Sequence, residues 1–512
     1  MKRSRRLAVA AVWFFAAVAG CTGGSGGGGG GSTAAGVASA TPTATSSASP
    51  GPTPAALVPA ALKGDPLSPL VSRGGELRDA RGRHVLLRGA NYAGRAKWPP
   101  FTGWARRTDV DAIAALGLDH VRFLVSWHAI EPTDGVFDDA YLDEVVQIFG
   151  WFEAAGIRVI VDMHQDQYAM RFGGNGFPEW TLLDPDPFPG IPDIMAPFPF
   201  NYANPKVTAN FDDLYASGAK RARLARVWSH VVARVKGCAA VAGYDLLNEP
   251  WFGLRSPTTF ESQVLHGLNE ELCAAVRAQD PRRVVFFEPQ LEAGLFVSTG
   301  LRTMSDPNVV YAPHWYDVVV DARHAAGLQP DYDGNPGSTT AALDRLLGHG
   351  RALGCPTWIG EYGVQDFMTG QEEYLADHNQ AFDERLLSAC AWTIDTATPS
   401  TYSCLDQSGQ PKPIADQWAH PHPRAVAGTL ERTAWDPATR TLEVRWREGG
   451  LGPDAPTIVE LPLHHVPGAA PLQVTLSDPA GTWRFERDAT TGRLLVWADA
   501  ATPVHTLTVR PQ

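Results

Sequence analysis

The sequence of 512 residues has few of the features that mark nucleic-acid-binding or metal-binding proteins. Its formal net charge is −12, and no run of basic residues occurs outside the extreme N-terminus, which argues against nucleic acid as a partner. Only six cysteines are present, and no Cys/His cluster has the spacing of a zinc site, since His464 and His465 are an isolated pair. We therefore expect neither a metal nor another cofactor.

The sequence also has no apolar run that is long enough to cross a bilayer comfortably. The apolar residues 7–20 follow a short basic start and end at Cys21, a pattern that resembles a bacterial lipoprotein signal. Residues 1–21 are therefore predicted to be a lipoprotein signal peptide with a lipidated Cys21, and a plain secretory signal is the alternative. Residues 22–62 are rich in Gly, Ser, Thr, Ala and Pro, which predicts a flexible linker. Lipidation would place the protein on the outer face of the cytoplasmic membrane.

Five cysteines follow the predicted lipidation site. Outside the cytosol disulfides are common, although sequence alone does not fix their connectivity. We expect the pairs Cys238–Cys273 and Cys390–Cys404, with Cys355 buried and reduced.

Short apolar segments alternate with segments of helical periodicity through most of the chain. The predicted strands cover residues 85–91, 119–127, 157–163, 243–247, 283–287, 308–312, 357–360 and 389–394. Eight strands that alternate with helices predict an α/β fold, a (β/α)8 TIM barrel, within residues 63–425. The short strands with turn residues between them that follow predict an all-β sandwich domain over residues 426–512.

Two carboxylates follow predicted barrel strands that lie nearly opposite each other. Glu249 ends strand four in Leu-Leu-Asn-Glu-Pro, and Glu361 ends strand seven in Trp-Ile-Gly-Glu-Tyr. Barrel enzymes keep their chemistry at the carboxyl ends of the strands. Retaining glycoside hydrolysis needs two carboxyl groups about 5–5.5 Å apart, one protonated and one ionised. The sequence therefore predicts a β-glycosidase.

Other polar and aromatic residues lie at successive strand ends and are candidates for support of this pair. A guanidinium at Arg122 would keep Glu361 ionised, and Tyr316 would donate to the same carboxylate. The further candidates for binding sugar are His164, Asp166, Asn248 and Trp392. Glu131 and Glu288 are also rim carboxylates, and we interpret Glu288 as a structural or substrate-positioning acid.

Four motifs in barrel order resemble glycoside hydrolase family 5, most closely its endoglycoceramidase-related branch. They are Asp-Met-His-Gln-Asp at 162–166, Leu-Asn-Glu-Pro at 247–250, Pro-His-Trp-Tyr-Asp at 313–317 and Gly-Glu-Tyr-Gly at 360–363. The resemblance implies a retaining, metal-free enzyme in which Glu249 is the acid/base and Glu361 the nucleophile. It also implies that substrate is bound by Lys97, Arg122, His164, Asp166, Asn248, His314, Tyr316 and Trp392.

The resemblance favours glycolipids such as glycosylceramides as substrates, cut between glycan and lipid. Residues 171–215 are a long insertion rich in Pro, Phe, Gly and Asp without a regular period, which predicts a functional or disordered loop. It carries apolar residues that suit either a lipid tail or the insertion's own small core: Phe188, Ile191, Ile194, Met195, Phe198 and Phe200. The alternatives are a plant polysaccharide, a monohexosyl lipid, a steroid glycoside or a disaccharide glycoside. A more distant alternative is a lipoprotein that binds glycans without cleaving them. We expect a monomer.

Overall fold

The computed structural model describes residues 67–294, 298–395, 401–452 and 454–512. The predicted signal peptide, Cys21 and the linker lie outside the described residues. The strands are β1 Val71–Arg73, β2 Glu76–Arg78, β3 His84–Val85, β4 Arg88–Tyr92, β5 His120–Val125, β6 Arg158–Met163, β7 Val241–Asp245, β8 Val284–Phe287, β9 Val309–Tyr311, β10 Trp358–Tyr362, β11 Ser388–Ile394, β12 His422–Val426, β13 Gly428–Asp436, β14 Thr441–Glu448, β15 Thr457–Glu460, β16 Leu472–Leu476, β17 Arg484–Arg487, β18 Leu494–Trp497 and β19 Val504–Pro511. The α-helices are α1 Arg107–Ala115, α2 Trp127–Ile130, α3 Asp139–Ala155, α4 Pro205–Ala216, α5 Gly218–Val235, α6 His266–Arg277, α7 Val318–Ala325, α8 Gly337–Leu353 and α9 Gln371–Arg385.

Strands β4 to β11 form a parallel sheet in the order β10-β11-β4-β5-β6-β7-β8-β9. Parallel bridges between Tyr311 and Thr357 and between Trp315 and Tyr362 bring the two edges of this sheet together. The eight strands therefore form a nearly closed ring, and the predicted TIM barrel is confirmed. None of the helices within the described ranges has both the length and the apolar character needed to cross a membrane.

Helix α3 shows how the local sequence sets the elements of the barrel. The Asp138 side chain accepts a hydrogen bond from the backbone N–H of Tyr141 and so caps the first turn. Gly156, in the left-handed conformation at φ 68°, ends the helix. Leu142 and Phe149 lie on its buried face, against the strands. The chain then enters β6 directly. The motif Asp-Met-His-Gln-Asp at 162–166, at the end of β6, thereby reaches the mouth of the barrel.

The C-terminal domain consists of two antiparallel sheets, as predicted. One has the order β13-β14-β19-β16, and the other has the order β1-β2-β3-β12-β15-β18-β17. The second sheet combines strands from the N-terminal part of the chain with strands of the C-terminal part, because β3 pairs with β2 on one side and with β12 on the other. Trp446 and Val496 belong to the core of this domain.

The seven-stranded sheet also packs against the inside of the barrel. Leu77, Ile458 and Leu495 of this sheet belong to one apolar cluster with Phe286 and Trp358 of the barrel strands. Side chains of the seven-stranded sheet therefore fill part of the barrel interior.

Two expectations from the sequence are wrong. The predicted disulfides do not form, because all five cysteines of the described chain are free thiols. Cys390 packs inside the barrel whereas Cys404 lies in the outer apolar layer, and Cys273 is buried along α6 whereas Cys238 is only half-buried beyond the end of α5. The insertion at 171–215 is also not without regular structure, since it contains most of helix α4.

Candidate active site

The two predicted catalytic carboxylates meet at the carboxyl ends of β7 and β10. One carboxylate oxygen of Glu249, one of Glu361 and a ring nitrogen of His314 all lie within 4.8 Å of one another. This separation fits the spacing of about 5–5.5 Å in retaining glycosidases and not the spacing of about 6.5–9.5 Å in inverting ones.

Glu361 is surrounded by hydrogen-bond donors. Arg122 donates from Nη1 to Oε1 over 2.7 Å, and the Tyr316 hydroxyl donates to Oε2 over 2.9 Å. Burial first, and then the charge of Glu361, raise the pKa of Tyr316 well above its ordinary value, so that its hydroxyl stays a donor. Two donors on two oxygens fix the carboxylate and stabilise its negative charge.

Glu249 has a different environment. Its Oε1 lies 2.8 Å from Nδ1 of His314. Burial raises the pKa of Glu249; His314 opposes this shift, and the charges of Glu361 and Asp166 add to it. A carboxyl group with a raised pKa is suited to donate a proton, whereas one held by donors is suited to attack, so the two acids fit two separate roles.

The backbone at Glu249 is strained. Its φ of 41° lies in the left-handed region, which a residue with a side chain rarely adopts. The backbone N–H donates to Oε2 of Glu288 over 2.8 Å, and the carbonyl oxygen accepts from Nε2 of Gln165 over 3.0 Å. Contacts on both sides therefore hold the peptide in this conformation.

Arg122 is fully buried and connects the carboxylates beneath the mouth of the barrel. Besides Glu361, its nitrogens lie 2.9 Å from Asp162, 2.8 Å from Asp245 and 2.8 Å from Glu288. Burial, together with the charge of Glu288, raises the pKa of Asp245 well above its ordinary value despite the contact with Arg122. One guanidinium thus faces four acids.

A second group of side chains forms one wall of the site. Lys97 donates from Nζ to Asp166 over 2.6 Å and lies 4.4 Å from the centre of the Trp392 ring. The His164 ring stacks on Trp392 with centroids 5.8 Å apart, and its Nδ1 is 2.7 Å from Asp162. Burial opposes the charged form of Asp166, but Lys97 and His164 lower its pKa below the ordinary value. An ion pair beside a half-buried indole suits the hydroxyls and the apolar face of a sugar.

In the part of the chain that the structure describes, two groups of acidic residues and histidine have the spacing of metal ligands, but both are explained by internal contacts. Asp162, Asp245 and Glu288 form one such group, and the guanidinium of Arg122 already provides the cation among them. In the other group, His314 bonds directly to Glu249.

The structure brings together all ten residues that the sequence predicted for the site: Lys97, Arg122, His164, Asp166, Asn248, Glu249, His314, Tyr316, Glu361 and Trp392. Asn248 accepts from Nη2 of Arg122 over 2.9 Å and donates to the carbonyl of Gln165 over 3.0 Å. Glu131 does not join them, because it pairs with Arg223 and accepts from Nε1 of Trp127.

Sequence reasoning missed four residues that hold the site. Asn91 accepts from Nη1 of Arg122 over 3.1 Å, and Gln165 binds the backbone of Glu249. Asp162 and Asp245 are direct neighbours on adjacent parallel strands. Polar side chains inside otherwise apolar barrel strands are the signal for three of these residues; Gln165 has no such signal.

Comparison with known proteins agrees with this geometry. The family model described as cellulase (glycosyl hydrolase family 5) matches residues 79–398, and the model described as glycoside hydrolase family 5 C-terminal domain matches residues 420–509. The chain belongs to glycoside hydrolase family 5. It is an endoglycoceramidase-like glycoside hydrolase of this family, and the two matches cover the barrel and the sandwich.

Individual relatives of this family 5 enzyme include proteins named for glycolipid cleavage. Endoglycoceramidase I of Rhodococcus hoagii is 29% identical over 394 residues, which cover 72% of this chain and 75% of the relative. The structure of endo-glycoceramidase II from Rhodococcus sp. in a ganglioside GM3 complex superposes with a TM-score of 0.75 at 26% identity, over 86% of this chain and 100% of the other. An endogalactoceramidase structure has a TM-score of 0.68 at 25% identity and covers 87% and 100% of the two chains.

Proposed function

We propose that this family 5 enzyme hydrolyses the β-glycosidic bond between a glycan and a lipid, with retention of anomeric configuration. The observation that carries the proposal is the close approach of Glu249 and Glu361 in two different environments. Two carboxyl groups at this spacing suit a double displacement through a glycosyl-enzyme intermediate.

In the first step, an oxygen of Glu361 attacks the anomeric carbon while Glu249 gives its proton to the departing lipid oxygen. The C–O bond to the lipid breaks as the bond to Glu361 forms. In the second step, ionised Glu249 takes a proton from water, and the water oxygen displaces Glu361 from the sugar. Arg122 and Tyr316 hold Glu361 in line, and the wall of Lys97, Asp166 and Trp392 binds sugar.

The relatives' names and the insertion beside the site both favour a lipid as the leaving group. Ile194 and Met195 of the insertion are 54% and 56% exposed, and Leu254, in the loop that follows Glu249, is 69% exposed. Apolar groups exposed near a polar sugar site suit an aglycone with alkyl chains. The remaining apolar residues of the insertion named above are half-buried, and Phe198 packs against the large apolar core of the barrel.

The N-terminal sequence supports a place outside the cell. We propose that a signal peptide directs export and that a lipid on Cys21 anchors the enzyme to the outer face of the cytoplasmic membrane. The linker after Cys21 would let a monomeric catalytic domain reach substrates near that surface.

A panel of substrates tests the proposal. The purified enzyme is incubated with lactosylceramide, ganglioside GM3, glucosylceramide and a soluble cellooligosaccharide, and the products are separated by mass spectrometry. We expect the intact glycan and free ceramide from the glycosphingolipids, with no cleavage by the matched variant Glu361→Gln. Cleavage of the cellooligosaccharide alone would contradict the lipid assignment, and inversion in product NMR would contradict the mechanism.

A further inference from the structure

Glu288 follows β8 directly and accepts hydrogen bonds from two sides of the site. Its Oε2 accepts from the backbone N–H of Glu249, and its Oε1 accepts from Nη2 of Arg122, each over 2.8 Å. Nε2 of His314 lies 3.4 Å from the same Oε1. Since Glu288 is only 2% exposed, little water competes for these contacts. Glu288 thus links the backbone of Glu249 to His314 and Arg122.

The strained backbone of Glu249 depends on this contact. A left-handed conformation persists at a residue with a side chain only where neighbouring groups hold it. Here, Glu288 holds the N–H of Glu249 and Gln165 holds its carbonyl. Loss of the acceptor at Glu288 would leave the N–H unpaired and allow the peptide to relax, which would move the side chain of Glu249.

We propose that Glu288 is a positioning residue that fixes the backbone of Glu249 and the ring of His314, and so directs the acid/base carboxyl group at the leaving oxygen. The inference rests on the proposed role of Glu249. A carboxylate next to Nε2 of His314 favours a hydrogen on that nitrogen. Nδ1 is then left to share a proton with Oε1 of Glu249, 2.8 Å away.

Glutamine cannot replace Glu288 in this role. A carboxamide has one oxygen acceptor, and its NH2 group would face either the N–H of Glu249 or the guanidinium of Arg122, which are both donors. The charge also matters. Burial lowers the pKa of His314, but Glu288 and the other nearby acids raise it well above its ordinary value. Without this charge, His314 and Glu249 would lose their shared proton at lower pH.

The test compares kcat/KM on two aryl β-glycosides that share a sugar and differ in leaving group. A dinitrophenyl glycoside needs little proton donation, whereas a phenyl glycoside needs it fully. For Glu288→Gln, we expect a loss of about 100-fold on the phenyl glycoside, as for a misplacement of about 1 Å, and a loss of only a few-fold on the other. The basic limb of the pH profile should move to lower pH.

Glu288→Asp keeps the charge but is shorter by one methylene group. It should restore the basic limb while the phenyl glycoside stays a poor substrate, and it decides the question if the Gln variant does not fold. Glu131→Gln is the matched control, since Glu131 is also a buried acid paired with arginine. It should lower stability and leave both the pH profile and the leaving-group dependence unchanged.

Glu249→Ala separates failure of this inference from failure of the proposed function. If Glu249→Ala loses equal activity on both substrates, the acid/base assignment is wrong. If Glu249→Ala shows the leaving-group dependence but both Glu288 variants lose equal activity on the two substrates, or lose none, the positioning role is wrong.

Discussion

Replacement of Arg122 by methionine tests whether the site depends on one buried cation. In the native enzyme, four carboxylates lie 2.7–2.9 Å from its guanidinium. Two like charges about 4 Å apart repel by about 4 kcal/mol at an effective dielectric constant of about 20, so the acids would take up protons rather than stay ionised. Removal of one partner from a buried ion pair costs about 3–5 kcal/mol. We expect a loss in this range for Arg122→Met.

Urea unfolding followed by tryptophan fluorescence measures this loss, and its pH dependence identifies the cause. Without the guanidinium, the pKa values of the surrounding acids rise in the folded state above their unfolded values. The loss in free energy of unfolding is therefore fully present at pH values above those raised pKa values, and it shrinks as the pH falls towards about 4. Arg223→Met is the control. Glu131 would keep its neutral donors at Trp127 and Gly135, so this variant should lose less stability than Arg122→Met. A loss below about 1 kcal/mol, or an equal deficit at high and low pH, would refute the reasoning.

Further predictions concern the two acids and the thiols. Glu361→Gln should abolish turnover and leave the thermal unfolding temperature close to that of the parent. Glu249→Ala should keep slow turnover on substrates with good leaving groups, and full loss on these would contradict its role. Since burial raises the pKa of Glu249, and activity is lost as this proton leaves, the basic limb of kcat/KM should lie above the ordinary pKa of a glutamic acid. Thiol titration of the unfolded, unreduced protein should find five thiols besides Cys21, where the predicted disulfides would leave one.

The barrel strands and the two acids were predictable because their signals are local. Each strand is a short apolar run, and Glu249 and Glu361 stand where such a run stops. The same reasoning missed the support beneath them. Asp245 lies between Tyr244 and Leu246 in an apolar strand, and only the register of β7 beside β6 shows that it meets Asp162. Contacts of this kind depend on which strands are neighbours, and a linear pattern does not contain that information.

Helix α4 was missed and the disulfides were wrongly predicted, for different reasons. The helix has a recognisable start, since Asn204 caps it and Pro205 occupies the first turn, but it lies in a segment whose proline and glycine content suggested a loop. The disulfides were inferred from the compartment and from the count of cysteines. Whether two thiols meet depends on the layer in which each one packs, and the sequence does not show this.

The seven-stranded sheet that packs against the inside of the barrel has a consequence for synthesis of the enzyme. Its strands β1 to β3 are among the first described elements of the chain, and β15, β17 and β18 are among the last. The hairpin near residue 80 therefore has no partner strand until β12 and the strands beyond it have been synthesised. A ribosome that stalled before residue 422 would release a ring of strands with an open base, and quality-control proteases would find its apolar interior exposed.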